Sequence, residues 1–185
     1  MTVLFYILAA VVLVIINFIV AFFTRIAYKT NRTNKMYLNI NKIFDNLITV
    51  DEVNNSYERN FKIKKQSKDK YDYLFITKNY EYYIKVIPNF NLNEITVNSS
   101  VKWYVRKKNK SGYYLTDIEG FIRMDMESQN KKKVRKIIIV YPDSHSLLRY
   151  INDCELEFIT PKTDVYGCQI ITYKELVEHL DLIEL

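Results

Sequence analysis

Few of the side chains that usually carry catalysis occur in this chain, and they form no recognisable set. His145 and His179 are the two histidines, and neither has neighbours typical of a catalytic triad. Ser144 precedes His145 without a G-x-S-x-G context. Three glycines cannot build a phosphate-cradling loop, and Cys154 and Cys168 form no C-x-x-C motif. The sequence therefore argues against a serine hydrolase, a P-loop or dinucleotide-binding protein, and a zinc site.

The segment at residues 71–85, YDYLFITKNYEYYIK, contains carboxylates and a lysine that could belong to a metal-dependent site. Its alternation of apolar and polar residues is typical of a hairpin of two strands. This segment resembles the core hairpin of the nuclease-related domain, a relative of the restriction-endonuclease-like PD-(D/E)XK fold. NSSVKWY at 98–104 and KIIIVYPD at 136–143 resemble later core segments of the same family. The resemblance covers roughly residues 40–180 and rests on pattern more than on identity.

The resemblance implies a metal-dependent site with one acid missing. In that family an Asp opens one strand and a Glu-x-Lys ends the next; the acids hold Mg²⁺, which activates water, and the lysine assists. Asp72 falls on the first acid. Counting from Asp72 places Lys85 on the family's Glu and Ile87 on its Lys, whereas a shift of two places Lys85 on the Lys and Tyr83 on the Glu. Both registers lack the second carboxylate.

Two other glutamates could replace the missing acid. Glu81 shares a strand face with Lys85 but lies about 13 Å from it along the strand, and Glu94 follows the hairpin and could swing in. The candidate catalytic residues are therefore Asp72, Lys85, Glu94 and Glu81, with Asp72 as a Mg²⁺ ligand only if the site is active. Otherwise we expect no cofactor. The alternative for Asp72 is structural, as a strand-start residue that binds backbone or pairs with Lys70 or Lys85.

Basic residues cluster in segments that also contain tyrosines. Such clusters can follow a phosphate backbone while Tyr104, Tyr113 and Tyr114 stack on bases. They can equally face an anionic membrane surface or simply solvent. The candidate residues for contact with DNA, RNA or a membrane surface are Arg106, Lys107, Lys108, Lys131, Lys132 and Lys133.

The amino terminus has the composition of a membrane-spanning helix. Residues 1–24 contain no Asp, Glu, Lys, Arg or His, and the apolar run 2–23 is broken only by Asn17. As a helix these 22 residues span roughly 33 Å, enough to cross a lipid bilayer. Four basic residues follow within a dozen positions, which predicts a single-pass protein of the cell membrane with its C-terminal domain in the cytoplasm. They are Arg25, Lys29, Arg32 and Lys35.

Periodicity predicts an α/β protein: a transmembrane helix, then a restriction-endonuclease-like α-βββ-α-β domain with a mixed central sheet. The predicted parts are a membrane anchor at 1–24, a basic juxtamembrane linker at 25–35 and a cytoplasmic nuclease-related-like domain at 36–185. Predicted helices lie at 36–49, 117–132, 144–152 and 173–182, the last with Thr172 and Glu175 as a capping box. Predicted strands lie at 57–64, 72–77, 81–87, 95–98, 101–106, 137–141 and 156–160, the first five as an antiparallel meander with a turn at Lys78-Asn79.

These observations together predict a membrane-anchored, catalytically inactive nuclease-related-like domain. It would bind nucleic acid or a protein partner at the cytoplasmic membrane face. Two alternatives remain open at this point: an active Mg²⁺-dependent nuclease with a rearranged site, and a structural membrane scaffold.

Overall fold

The computed structural model describes residues 2–52, 71–76, 80–107, 111–115, 118–124, 132–152 and 154–179. The predicted strand at 57–64, the turn at Lys78-Asn79 and most of the second half of the helix predicted at 117–132 lie outside these residues. Two of the basic candidates, Lys108 and Lys131, also lie outside them. The chain divides into two compact units, residues 1–42 and 43–185.

The first unit lies within one long helix, α1, Thr2–Glu52. Residues 2–52 contain neither glycine nor proline, so no residue in them breaks the backbone hydrogen-bond ladder. The helix runs without a break through 25–35, the segment predicted as a basic juxtamembrane linker. The span Ala10–Asp45 contains a window with a mean hydropathy of 2.4, none of it buried. By length and composition this helix can cross a membrane. A signal sequence or the core helix of a soluble protein meets the same two criteria.

The second unit contains two five-stranded mixed sheets. The first sheet has the order β1 (Tyr73–Ile76), β2 (Tyr80–Pro88), β6 (Lys133–Tyr141), β10 (Cys168–Thr172) and β9 (Asp164–Val165). Strands β2, β6 and β10 are parallel, and the two edge strands are antiparallel to their neighbours. The second sheet has the order β5 (Tyr113–Leu115), β4 (Trp103–Arg106), β3 (Glu94–Val97), β7 (Leu147–Tyr150) and β8 (Leu156–Phe158).

The two sheets are linked by a pair of strands that pass side by side from one to the other. Strands β2 and β6 pair in parallel, and their continuations β3 and β7 pair in parallel in the second sheet. The buried Asn89 lies at this corner, where its side chain bonds both crossing segments through the carbonyls of Asn93 and Asp143. The corner therefore fixes which strands of the two sheets are neighbours.

The main core contains apolar side chains from both sheets and from the short helix α2, Glu119–Ile122. Tyr83 and Ile138 of the first sheet, Ile95 and Trp103 of the second, and Phe121 of α2 belong to this cluster. The opposite face of the first sheet is covered at β1 by Phe44, whose ring lies 5.4 Å from that of Tyr73 and 5.9 Å from that of Phe75 between centroids. At the centre of the sheet, residues 137–140 of β6 are all fully buried, so both faces are covered there, as in other sheets with parallel strands.

Several predicted elements are correct. The hairpin of β1 and β2 and the buried strand β6 are present where the sequence predicts them, and the helical segment at 36–49 is part of α1. The final helix α3, Tyr173–Glu178, begins with the predicted capping box, in which Thr172 and Glu175 bond each other's backbone N–H groups. Capping depends on residues three apart, so sequence alone identifies it.

Other predictions are wrong because pairing across the sheets overrides local pattern. The helix predicted at 144–152 is strand β7, held between β3 and β8. The antiparallel meander is wrong as well, because β2 and β3 belong to different sheets. The helix predicted at 117–132 ends at Ile122. No strand was predicted at β5, at β9 or at β10, an interior strand of the first sheet.

Candidate functional site

Asp72 and Lys85, two of the predicted site residues, lie side by side on the first sheet. The Nζ atom of Lys85 is 3.7 Å from Oδ2 of Asp72, and their side chains are 17% and 19% exposed. The same Oδ2 accepts a 2.7 Å hydrogen bond from the backbone N–H of Val86. The backbone N–H of Asp72 in turn donates to the carbonyl of Ile84 at 2.8 Å. Asp72 therefore binds the backbone of β2 and pairs with Lys85, as its structural alternative predicts.

Glu81 is buried further along the same strand face. The hydroxyl of Tyr83 lies 3.5 Å from Oε2 of Glu81, and the Tyr71 ring meets the Tyr83 ring edge-on at 5.1 Å between centroids. Burial, and next the Glu81 carboxylate, raise the pKa of Tyr83. The phenol therefore stays protonated at neutral pH and can donate to that carboxylate. Glu81 is held by this contact and is not among the contacts of Asp72.

Glu94 is the other glutamate that could complete the site, and it belongs to the second sheet. Its carboxylate accepts hydrogen bonds from Ser146 at 3.2 Å and Thr96 at 3.4 Å, and lies 4.0 Å from the guanidinium of Arg106. It does not contact Asp72 or Lys85. In the described part of the chain, no three Asp, Glu, His or Cys side chains converge as a metal site would require.

Lys136 and Cys168 occupy neighbouring positions of β6 and β10, where the sequence suggested no site. The ammonium of Lys136 donates to the carbonyls of Ile122 at 2.7 Å and Met124 at 2.6 Å, so it satisfies the carboxyl end of α2. Cys168 is fully buried, and that burial raises the pKa of its thiol to about 11. This pair is structural, because both polar groups are held inside the fold.

We expect Cys168 to be unreactive in the folded chain. At pH 8 an alkylating reagent should modify the exposed Cys154 and spare Cys168, whereas the unfolded chain should be modified at both. Folding raises the pKa of the Cys168 thiol to about 11, so the folded state holds this proton more tightly than the unfolded state does. The thiol therefore lowers the free energy of unfolding only as the pH rises from its unfolded pKa toward about 11. Mass spectrometry of a Cys154→Ser variant provides the control. Rapid labelling of Cys168 in that folded variant would contradict the burial.

The outer face of the second sheet carries a row of side chains that crosses all five strands. We call this row the aromatic row; it consists of Tyr114, Tyr104, Thr96, Leu148 and Phe158, each paired with the next across neighbouring strands. Tyr114 is 55% exposed and Phe158 is 72% exposed. The Tyr104 and Tyr114 rings lie 5.2 Å apart, tilted at 60°. The described structure thus presents aromatic rings to solvent at both edges of one sheet face.

The predicted basic residues divide between the two sheets. Arg106 ends β4 with its side chain exposed, and the ammonium of Lys107 lies 5.0 Å from the centre of the Tyr113 ring. Lys132 and Lys133 lie at the start of β6 in the other sheet, where Lys133 lies 5.9 Å from the centre of the Tyr80 ring. Of these described residues, only Arg106 lies on the face of the aromatic row, because Tyr113 pairs with the core-facing Val105 and Lys107 therefore lies on the opposite face. Sequence reasoning found its tyrosines but missed Phe158, because the register that aligns them is not local.

A comparison of the chain with known protein families, curated proteins and solved structures finds no match in any of the three.

Proposed function

We propose that this chain is a membrane-anchored module on a nuclease-related scaffold that binds nucleic acid at the cytoplasmic membrane face without hydrolysing it. The observation that carries the proposal is the position of Lys85 beside Asp72. The other support comes from the composition of α1 and from the exposed aromatic and basic side chains of the second sheet.

The ion pair argues for binding without hydrolysis. The position of Lys85 fits the register in which it replaces the family's second acid, and the apolar, buried Ile87 then replaces the family's lysine. An ammonium 3.7 Å from the remaining carboxylate repels the divalent cation that the carboxylate would otherwise attract. The Asp72 oxygen is also committed to the Val86 N–H. A metal-activated water has no place in this arrangement.

The composition of α1 supports membrane anchoring. The apolar span is exposed and long enough to cross a bilayer, and basic residues follow it immediately. The excess of lysine and arginine on this side of the span supports a cytoplasmic position for the domain that follows. Tyr28 and Arg32, whose guanidinium lies 5.5 Å from the tyrosine ring centre, have the chemistry of residues at the lipid–water boundary.

The test uses the full chain reconstituted in lipid nanodiscs and incubated with labelled DNA and RNA in Mg²⁺ or Mn²⁺. We expect binding without cleavage, and the same length of oligonucleotide before and after. Metal-dependent cleavage that Asp72→Ala abolishes would show an active nuclease instead. Crosslinking in cells that recovers proteins and no nucleic acid would favour a membrane scaffold. A protease-protection assay with an epitope on the C terminus tests the orientation.

A further inference from the structure

The outer face of the second sheet is built to accept flat, stacked ligands. Four strand-to-strand steps separate Tyr114 from Phe158, a distance of about 19 Å at roughly 4.8 Å per step. Thr96 and Leu148 lie between the rings and have smaller side chains; Thr96 is buried and Leu148 is half-buried. The surface that a ligand can reach is therefore concentrated at the two aromatic edges, at Tyr114 and at Phe158.

The tyrosine edge of this face is held in place by a close backbone approach. The N–H of Gly112 donates to the hydroxyl of Tyr104 at 3.0 Å. A Cβ atom at Gly112 would lie 2.4 Å from the Tyr104 ring and 2.4 Å from the carbonyl oxygen of Val105. Only glycine fits there, which fixes Tyr104 against the strand that carries Tyr114. A pre-positioned ring loses little entropy when a ligand stacks on it.

In the described part of the sheet, one cation lies on the face of the aromatic row at its tyrosine edge. The Arg106 side chain is 71% exposed and lies on the same strand face as Tyr104, two residues along. Lys107 lies against the Tyr113 ring, which pairs with the core-facing Val105 and so belongs to the opposite face of the sheet. The carboxylate of Glu94 lies beside Arg106, and its oxygens also accept hydrogen bonds from Ser146 and Thr96. The Arg106 guanidinium, exposed although it lies near Glu94, can thus meet a phosphate beside rings that meet bases.

We propose that the aromatic row, with Arg106, is a binding platform for single-stranded nucleic acid. The inference rests on the proposed function and names its ligand class. Aromatic stacking needs the flat face of a base, which a single strand exposes and a duplex hides between neighbouring pairs. The length of the row suits about four nucleotides, and the Arg106 cation at one edge suits a phosphate.

Two variants test the platform without disturbing the fold, because both side chains are more than half exposed. Tyr114→Ala and Phe158→Ala are each expected to weaken binding of a labelled single-stranded oligonucleotide by about 10-fold, measured by fluorescence anisotropy on the full chain in neutral nanodiscs. Tyr166→Ala is the matched control, since Tyr166 is also exposed but lies between β9 and β10 in the other sheet. Arg106→Gln should reduce the dependence of log affinity on log salt by about 0.7.

Competition distinguishes the possible occupants. A duplex of the same sequence and phosphatidylserine vesicles should displace the single strand poorly. Equal binding by wild type and both aromatic variants would overturn the platform while leaving nucleic-acid binding in place. Preferential binding of the duplex or of the vesicles, lost in the same variants, would overturn the choice of ligand. Cleavage of the oligonucleotide by wild type would instead overturn the proposed function.

Discussion

Replacing Asn89 with alanine is expected to destabilise the domain by about 3–5 kcal/mol. The Asn89 side chain is 3% exposed and makes three hydrogen bonds, to the carbonyls of Asn93 and Asp143 and from the N–H of Asn93, at 2.8, 3.0 and 3.0 Å. Each bond that is lost leaves a partly buried backbone group without its partner, at about 1–3 kcal/mol. Both strand pairs cross between the sheets here, so the loss should act on both sheets together.

Chemical unfolding of the full chain in nanodiscs measures this effect, with Asn91→Ala as the control because Asn91 is exposed in the same loop. Asn89→Asp is a second variant: it keeps the acceptor for Asn93 but turns an oxygen toward two carbonyls, so we expect it to be at least as destabilising. A change below about 1 kcal/mol in Asn89→Ala would mean that the corner is not what holds the two sheets in register.

Replacing Lys85 with glutamate is expected to create a divalent-metal site. The new carboxylate would stand close to Asp72, where the ammonium now lies 3.7 Å away. Without metal, the two carboxylates repel each other and stability falls. With Mn²⁺ bound, the repulsion is relieved, and at a concentration 100 times the dissociation constant the gain is about 2.7 kcal/mol. We expect the melting temperature of Lys85→Glu to rise by several degrees with Mn²⁺.

The matched control is Lys85→Gln, which removes the ammonium without adding a charge. Its melting temperature and that of wild type should change little with Mn²⁺. If Lys85→Glu were as insensitive to Mn²⁺ as Lys85→Gln, Asp72 would not mark a former metal site. The resemblance to the nuclease-related family would then lose its main support. The single-strand platform does not depend on this outcome, because it belongs to the other sheet.

The sequence by itself determined the features whose causes are local. A long run of apolar residues without glycine or proline predicts the helix that begins at Thr2, and composition alone gives its capacity to cross a membrane. The Thr172–Glu175 capping box spans three residues and was predicted correctly. The hairpin of β1 and β2 and the buried strand β6 also follow from short patterns of apolar residues.

Only the tertiary structure decided which strands are neighbours. The segment 147–150 has no strand pattern of its own and is extended because β3 and β8 flank it. The site residues depend on the same kind of information: register places Asp72 beside Lys85 and leaves Glu94 in the other sheet with Arg106. The aromatic row joins Tyr114 to Phe158 through pairings between residues far apart in the chain. Pairing of distant strands buries surface and satisfies backbone groups that no short window of sequence contains.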